Sequence, residues 1–136
     1  MPVTSRSIHR LAPVAYEYLT FDLSGATTAS ATNAFRFRVV RDAILHQVQV
    51  SASNVSGTSP TLNAAVKRGA ATLLTTSNLT AAGTVATSPS STVVLRTGDD
   101  VTIDLNVGGT SPSFSNVVVV VVLRKGGPEY TGGVAI

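Results

Sequence analysis

Few residues in this 136-residue chain could carry chemistry: two histidines, His9 and His46, seven carboxylates, abundant serine, and no cysteine. Without cysteine there is neither a thiol nucleophile nor a thiolate metal site. A serine nucleophile needs a base, and the two histidines are the ordinary candidates. His9 falls in a proline-flanked N-terminal stretch. His46 shares a strand face with Ile44, Val48 and Val50 and reads as a packed, hydrogen-bonded residue. No Gly-x-Ser-x-Gly elbow occurs. Among the carboxylates, Asp99, Asp100 and Asp104 cluster, and Asp100 and Asp104 share a face. Four strand residues separate that pair by roughly 13 Å, too far for one cation with oxygen ligands at about 2.4 Å. Gly-Gly-Thr-Ser at 108–111 does not continue into the Gly-Lys-Ser/Thr of a phosphate loop. The run Phe35-Arg36-Phe37-Arg38 interleaves aromatics with cations, as a nucleic-acid platform would. Strand alternation nevertheless puts the rings and the guanidinia on opposite faces. The expectations are no enzyme, no metal, no cofactor and no nucleic acid as main partner.

Those residues sit in a chain built for strands. Serine and threonine number 33, valine 20 and alanine 16, about half of all residues. Charged residues are 12%, with a net charge of +3, against a usual charged share of about 25%. Period-2 alternation dominates. Leu19, Phe21 and Leu23 oppose Thr20 and Asp22. Phe35, Phe37 and Val39 oppose Arg36 and Arg38. Ile44, Val48 and Val50 oppose Gln47 and Gln49. Val101, Ile103, Leu105 and Val107 oppose Thr102, Asp104 and Asn106. With Leu62–Val66, Leu73–Leu74, Thr92–Leu95 and a valine run, this makes about eight strands separated by Gly, Ser, Thr, Asn and Pro. The pattern predicts an all-β antiparallel sandwich, jelly-roll-like. Arg96-Thr97-Gly98-Asp99 reads as a hairpin turn. The segment at 56–60 (SGTSP) nearly recurs at 108–112 (GGTSP). Each copy follows Asn-Val and precedes a strand ending in a basic pair and glycine, which fits either a duplicated strand–loop–strand unit or convergent loop chemistry. Residues 1–14 read as an extended arm without the apolar core of a signal peptide, residues 15–125 as the β-domain and residues 126–136 as an extended tail.

The six valines Val117, Val118, Val119, Val120, Val121 and Val122, followed by Leu123, are too few to cross a membrane as a helix, which takes about 20 residues. A membrane-barrel strand would alternate, so no membrane partner is expected. A strand apolar on both faces needs cover on both, whereas an antiparallel sheet ordinarily leaves one face to water. Its own arm or tail is one candidate for that cover and a neighbouring subunit the other; the second is favoured, which makes the six valines the candidate oligomer interface.

A short all-β chain rich in Ala, Thr, Ser and Val, with an N-terminal arm, Gly-Thr-Ser-Pro loops and the run RTGDDVTIDLNV…VVVVVLRK, resembles the small virion proteins of tailed bacteriophages. In particular it is similar to the jelly-roll decoration, or cement, proteins that sit on assembled heads. The likeness spans nearly the whole chain and is one of composition and strand rhythm. The motif GD-x-(V/L)-T-(I/V)-D, here residues 98–104, recurs in many phage β-domains and carries over no functional residue. The resemblance implies a homotrimer on the outer surface of the virion, made in the host cytoplasm, clamping major capsid subunits against internal DNA pressure. Its partners would be the major capsid protein and itself, with Arg6, His9 and Arg10 of the arm as candidate capsid contacts. Two alternatives share the fold: a receptor- or carbohydrate-binding domain of a phage fibre, and a small coat protein with a basic arm.

Overall fold

The structure, a computed structural model, describes residues 15–125. The proposed arm and tail, with Arg6, His9 and Arg10, lie outside the described residues. Eight strands follow in chain order: β1 Ala15–Thr27, β2 Ala31–Arg38, β3 Ala43–Ser51, β4 Asn54–Arg68, β5 Ala71–Thr75, β6 Val85–Thr87, β7 Val93–Leu95 and β8 Asp100–Lys125. All pairings are antiparallel, and the described residues hold no helix.

β8 organises the molecule. Its first half pairs with β2 on one side and with the second half of β4 on the other, and β5 lies outside β4. Its second half pairs with β1 and β3, and β6 and β7 lie outside β3. Two layers result, β2–β8–β4–β5 and β1–β8–β3–β6/β7, joined because β4 and β8 run from one layer into the other. The predicted alternation holds along most strands. Leu62, Ala64, Val66, Val101, Ile103 and Leu105 from one layer meet Leu45, Val48, Val50, Val117, Val119 and Val121 from the other in a single core cluster. Each fully buried Val or Leu contributes about 1.5–3 kcal/mol of transfer free energy, so this cluster supplies the main driving force for closing the sandwich.

Four expectations change. First, the alternation of β3 slips at His46. Leu45 pairs with Leu123 while Gln47 pairs with Val122, which leaves His46 as the extra residue of a bulge. Leu45 therefore joins the core cluster, and Ile44, although buried, lies outside it. Second, the turn at Arg96–Asp99 forms, with the Asp99 N–H donating to the Arg96 carbonyl at 3.0 Å, but it closes no hairpin. β7 pairs with β3, and the start of β8 pairs with β2 and β4, so the turn carries the chain between layers. Third, the two Gly-Thr-Ser-Pro segments are not loops but bends inside β4 and β8. Fourth, the valine run is not equally buried on its two faces.

The bends pair with each other, Thr58 opposite Thr110. A β-carbon on Gly57 would come within 2.6 Å of the Ser111 carbonyl oxygen, and one on Gly109 within 2.6 Å of the Ser59 carbonyl oxygen. Gly57 and Gly109 have φ of +111° and +107°, and Ser59 and Ser111 both have φ of 49°. Each glycine thus lies against the Ser-Pro of the other copy, a local two-fold arrangement. The same relation extends outward. Val48 and Val50 pair with Val121 and Val119, while Val101 and Ile103 pair with Arg68 and Val66. The first strand of each copy lies against the second strand of the other.

Candidate assembly surface

The second half of β8 shows how pleat and register divide the valines. Val117, Val119 and Val121 point into the sandwich and are completely buried. They belong to the core, so of the six valines expected at an interface these three face inward. Val118 and Val120 are half-buried on the outer face, and Val122 beside them is buried outside the core cluster. Pairing sets what flanks them. Asp22 and Ser51 flank Val118, with Val85 beyond Ser51; Thr20 and Gln49 flank Val120, with Thr87 beyond Gln49; Tyr18 and Gln47 flank Val122. Asp22 is the one charged side chain in these three rows.

The polar groups on this face are largely engaged locally. Gln49 donates through Nε2 to Oε1 of Gln47 at 3.2 Å, and Gln47 donates to the Ser88 carbonyl at 3.2 Å. Tyr16 tilts against His46 with ring centroids 5.2 Å apart. Tyr18 is 63% exposed and Val85 58%, so large apolar and amphipathic side chains rim the valine rows. Neither is a candidate interface residue from the sequence pattern, although the parity that sends Thr20 and Asp22 outward sends Tyr16 and Tyr18 outward too. Asn116, in the left-handed region at φ 52°, ties three segments together. Its Oδ1 accepts the Gly25 N–H at 3.2 Å, and its Nδ2 donates to Ser53 Oγ at 3.1 Å. Grooves of about 320 and 430 Å³ open on either side of Val118 beside it. Among the described residues β1 pairs on one side only, with β8, so its 13-residue outer edge borders the same face.

Comparisons with known proteins are sparse. No family model and no curated protein matches the chain. The solved structures that are similar include two viral chains. A chain of the cyanophage Pam1 capsid asymmetric unit is 19% identical at a TM-score of 0.46, with 93% of this chain and 100% of that chain covered. A chain of infectious bursal disease virus, Gx strain, is 11% identical at 0.40, with 98% and 42% covered. Values this low assign neither a function nor a partner.

The residues first considered for chemistry are committed to structure. Asp104 accepts the Asn33 N–H at 2.7 Å and pairs with Lys67 at 2.9 Å. Burial alone would raise its pKa, but the Asn33 N–H and the Lys67 ammonium outweigh burial and hold it below the usual aspartate value. Asp99 bonds Arg68 and the Arg96 N–H, and Asp100 meets Arg38 at 3.4 Å. No group of three His, Cys, Asp or Glu among the described residues could hold a metal ion. No helix among them is long and apolar enough to cross a membrane.

Proposed function

We propose that this chain is a non-enzymatic structural protein of a virion, a decoration or cement protein that binds an assembled phage head and stabilises it as a homotrimer. The observation that carries the reading is the outer face of β8. Val118, Val120 and Val122 form an uncharged stripe on a sheet whose inner face is already packed. A partner subunit removes the half-buried Val118 and Val120 from water at about 25 cal/mol per Å² of apolar area, Val122 being already buried, and Tyr18 at the rim is of the aromatic type that interfaces favour. The sequence resemblance supplies the rest: the major capsid protein as partner, the outer surface of the virion as location, and Arg6, His9 and Arg10 as contacts with the shell. Light scattering on the purified protein, followed by co-sedimentation with undecorated heads, tests it. A trimer that pellets with heads is expected. A monomer at micromolar concentration that stays in the supernatant would sink the proposal.

One observation favours a second reading, the carbohydrate-binding domain of a fibre. Tyr16 and Tyr18 are exposed two residues apart on the same face, where a sugar ring could stack. Binding to a glycan array with loss in Tyr18→Ala would favour it over the decoration protein.

A further inference from the structure

A second surface lies at the far end of the sandwich, on different residues. All charged side chains of the described chain fall at 17–22, 36–42, 67–68, 96–104 and 124–125, and most gather where β2 turns into β3. That corner is rigid. The Val39 N–H donates to the Asp99 carbonyl at 2.9 Å and the Gly98 N–H to the Val39 carbonyl at 2.7 Å. Asp42 accepts from the Thr97 N–H at 2.7 Å and from its hydroxyl at 2.9 Å. On this clamped support Val40 is 82% exposed, more than any other large apolar residue described. A single exposed valine is ordinary on a protein surface. Two further features set this one apart.

One is charge. Arg38, Arg68, Arg96 and Lys125 each meet a carboxylate. Arg41, exposed next to Val40, has no ion pair among the described residues, so the corner carries an uncompensated cation. The other is shape. β1 and β2 flank different halves of β8 and share no ladder. Between them opens a cleft of about 110 Å³, floored by Leu19, Phe37 and Leu123 and bordered by Val40 and Arg41. An engineered cavity of about 150 Å³ takes a benzene ring, so this cleft suits one branched aliphatic side chain.

We infer that the β2–β3 corner is a docking site for an extended acidic segment of another protein, one apolar side chain of which enters the cleft while a neighbouring carboxylate meets Arg41. The positive corner selects the acidic segment, and the cleft selects its apolar anchor. The site is independent of the valine stripe and of the virion reading.

Fluorescence anisotropy with a labelled octapeptide tests it, the peptide holding one leucine between pairs of glutamates. A control peptide has serine in place of leucine. The leucine peptide should bind about tenfold or more tighter than the serine peptide, as burial of one such side chain implies. Arg41→Glu should weaken binding about tenfold, Arg41→Lys no more than about threefold, and 0.3 M salt should weaken it several-fold. Both variants change an exposed side chain, and circular dichroism checks that they fold. Equal binding of the two peptides, or indifference to Arg41→Glu, overturns the site. So does an Arg41→Glu protein whose oligomer falls apart in sedimentation, because the corner would then hold a second copy of this chain.

Discussion

The two outer faces of the sandwich sit on backbones related by the same local two-fold, yet their chemistry differs. On one layer Lys67 pairs with Thr102 and Ala65 with Asp104; on the other Val120 pairs with Gln49 and Val118 with Ser51. Matching buried Val66 to buried Val119 sets Lys67 against Val120 and Ala65 against Val118, one residue beyond the spacing of Gly57 and Gly109. Inward, the two copies agree: Val66 and Val119, like Ile103 and Val50, are buried apolar residues. Outward, the first layer ends in an ion pair, Lys67 with Asp104 at 2.9 Å, and an amide ladder of Asn106, Asn63 and Asn78 at 2.8 and 3.1 Å. The second ends in valine. Packing dictates the inner residues of both copies, while the outer residues are free to specialise, and only one copy has become apolar there. A charged, hydrogen-bonded face and a face with a valine stripe are thus set side by side on the two layers.

The sharpest way to break this comparison is to charge each side of the valine strand. Val119→Asp places an unpaired carboxylate in the core, at a cost of several kcal/mol, and should give an insoluble or unfolded chain by circular dichroism. A soluble, fully folded Val119→Asp protein would mean that the inner parity is misassigned. Next in size, Gly57→Ala and Gly109→Ala should each cost roughly 2–4 kcal/mol, from a left-handed φ and a backbone collision. Because the bends are equivalent, urea denaturation should give the two nearly the same loss. Costs differing several-fold would refute the two-fold.

Asp104→Asn, on the polar face, removes a charge-assisted acceptor and should cost about 1.5–3 kcal/mol. Its pH dependence has a defined sign. The folded pKa lies below the unfolded value of about 3.9, so the stabilisation is fully present above that value and disappears as pH falls through the folded pKa. Acid titration of stability should therefore show a loss below about pH 4 that is smaller in Asp104→Asn. The smallest effect on stability belongs to Val120→Lys, which writes the polar-face residue into the equivalent valine position. It should change monomer stability by about 1 kcal/mol or less while dissociating the proposed trimer in light scattering. An intact trimer in Val120→Lys would move the interface elsewhere on the molecule.

Much of the fold was legible in the sequence because period-2 alternation is a direct record of burial. The inward parities at Leu19–Leu23, Phe35–Phe37, Leu62–Val66 and Val101–Leu105 all hold. The failures have one kind of cause. At His46 a bulge, which leaves no mark in composition, moved Leu45 rather than Ile44 into the core cluster. At 56–60 and 108–112, glycine, serine and proline signal a break in regular backbone, but not that two such breaks would pair and keep the strands going. In the valine run both parities are identical in sequence, so alternation is silent. The parity is set instead by register with Leu19, Phe21 and Leu23 on one side and with Val48 and Val50 on the other. Of the candidate surface, the valines were legible as residues, and their division into core and face was not.

β8 is the last strand of the described residues and a partner of four others, which sets the order in which the sandwich can close. While the ribosome has made only the first 99 residues, β1 and β2 have no strand to pair with, β3 lacks its inner neighbour, and β4 lacks the strand that holds it to the other layer. Helix-rich domains can settle as they emerge. Here four of the seven ladders await the final quarter of the described chain, and the pairings β1 then makes span about 90–110 residues. Loop closure of that length comes before any reward from contact. Until β8 is made, only β3 with β6 and β7 and β4 with β5 can pair, and the two layers close around the strand that arrives after them.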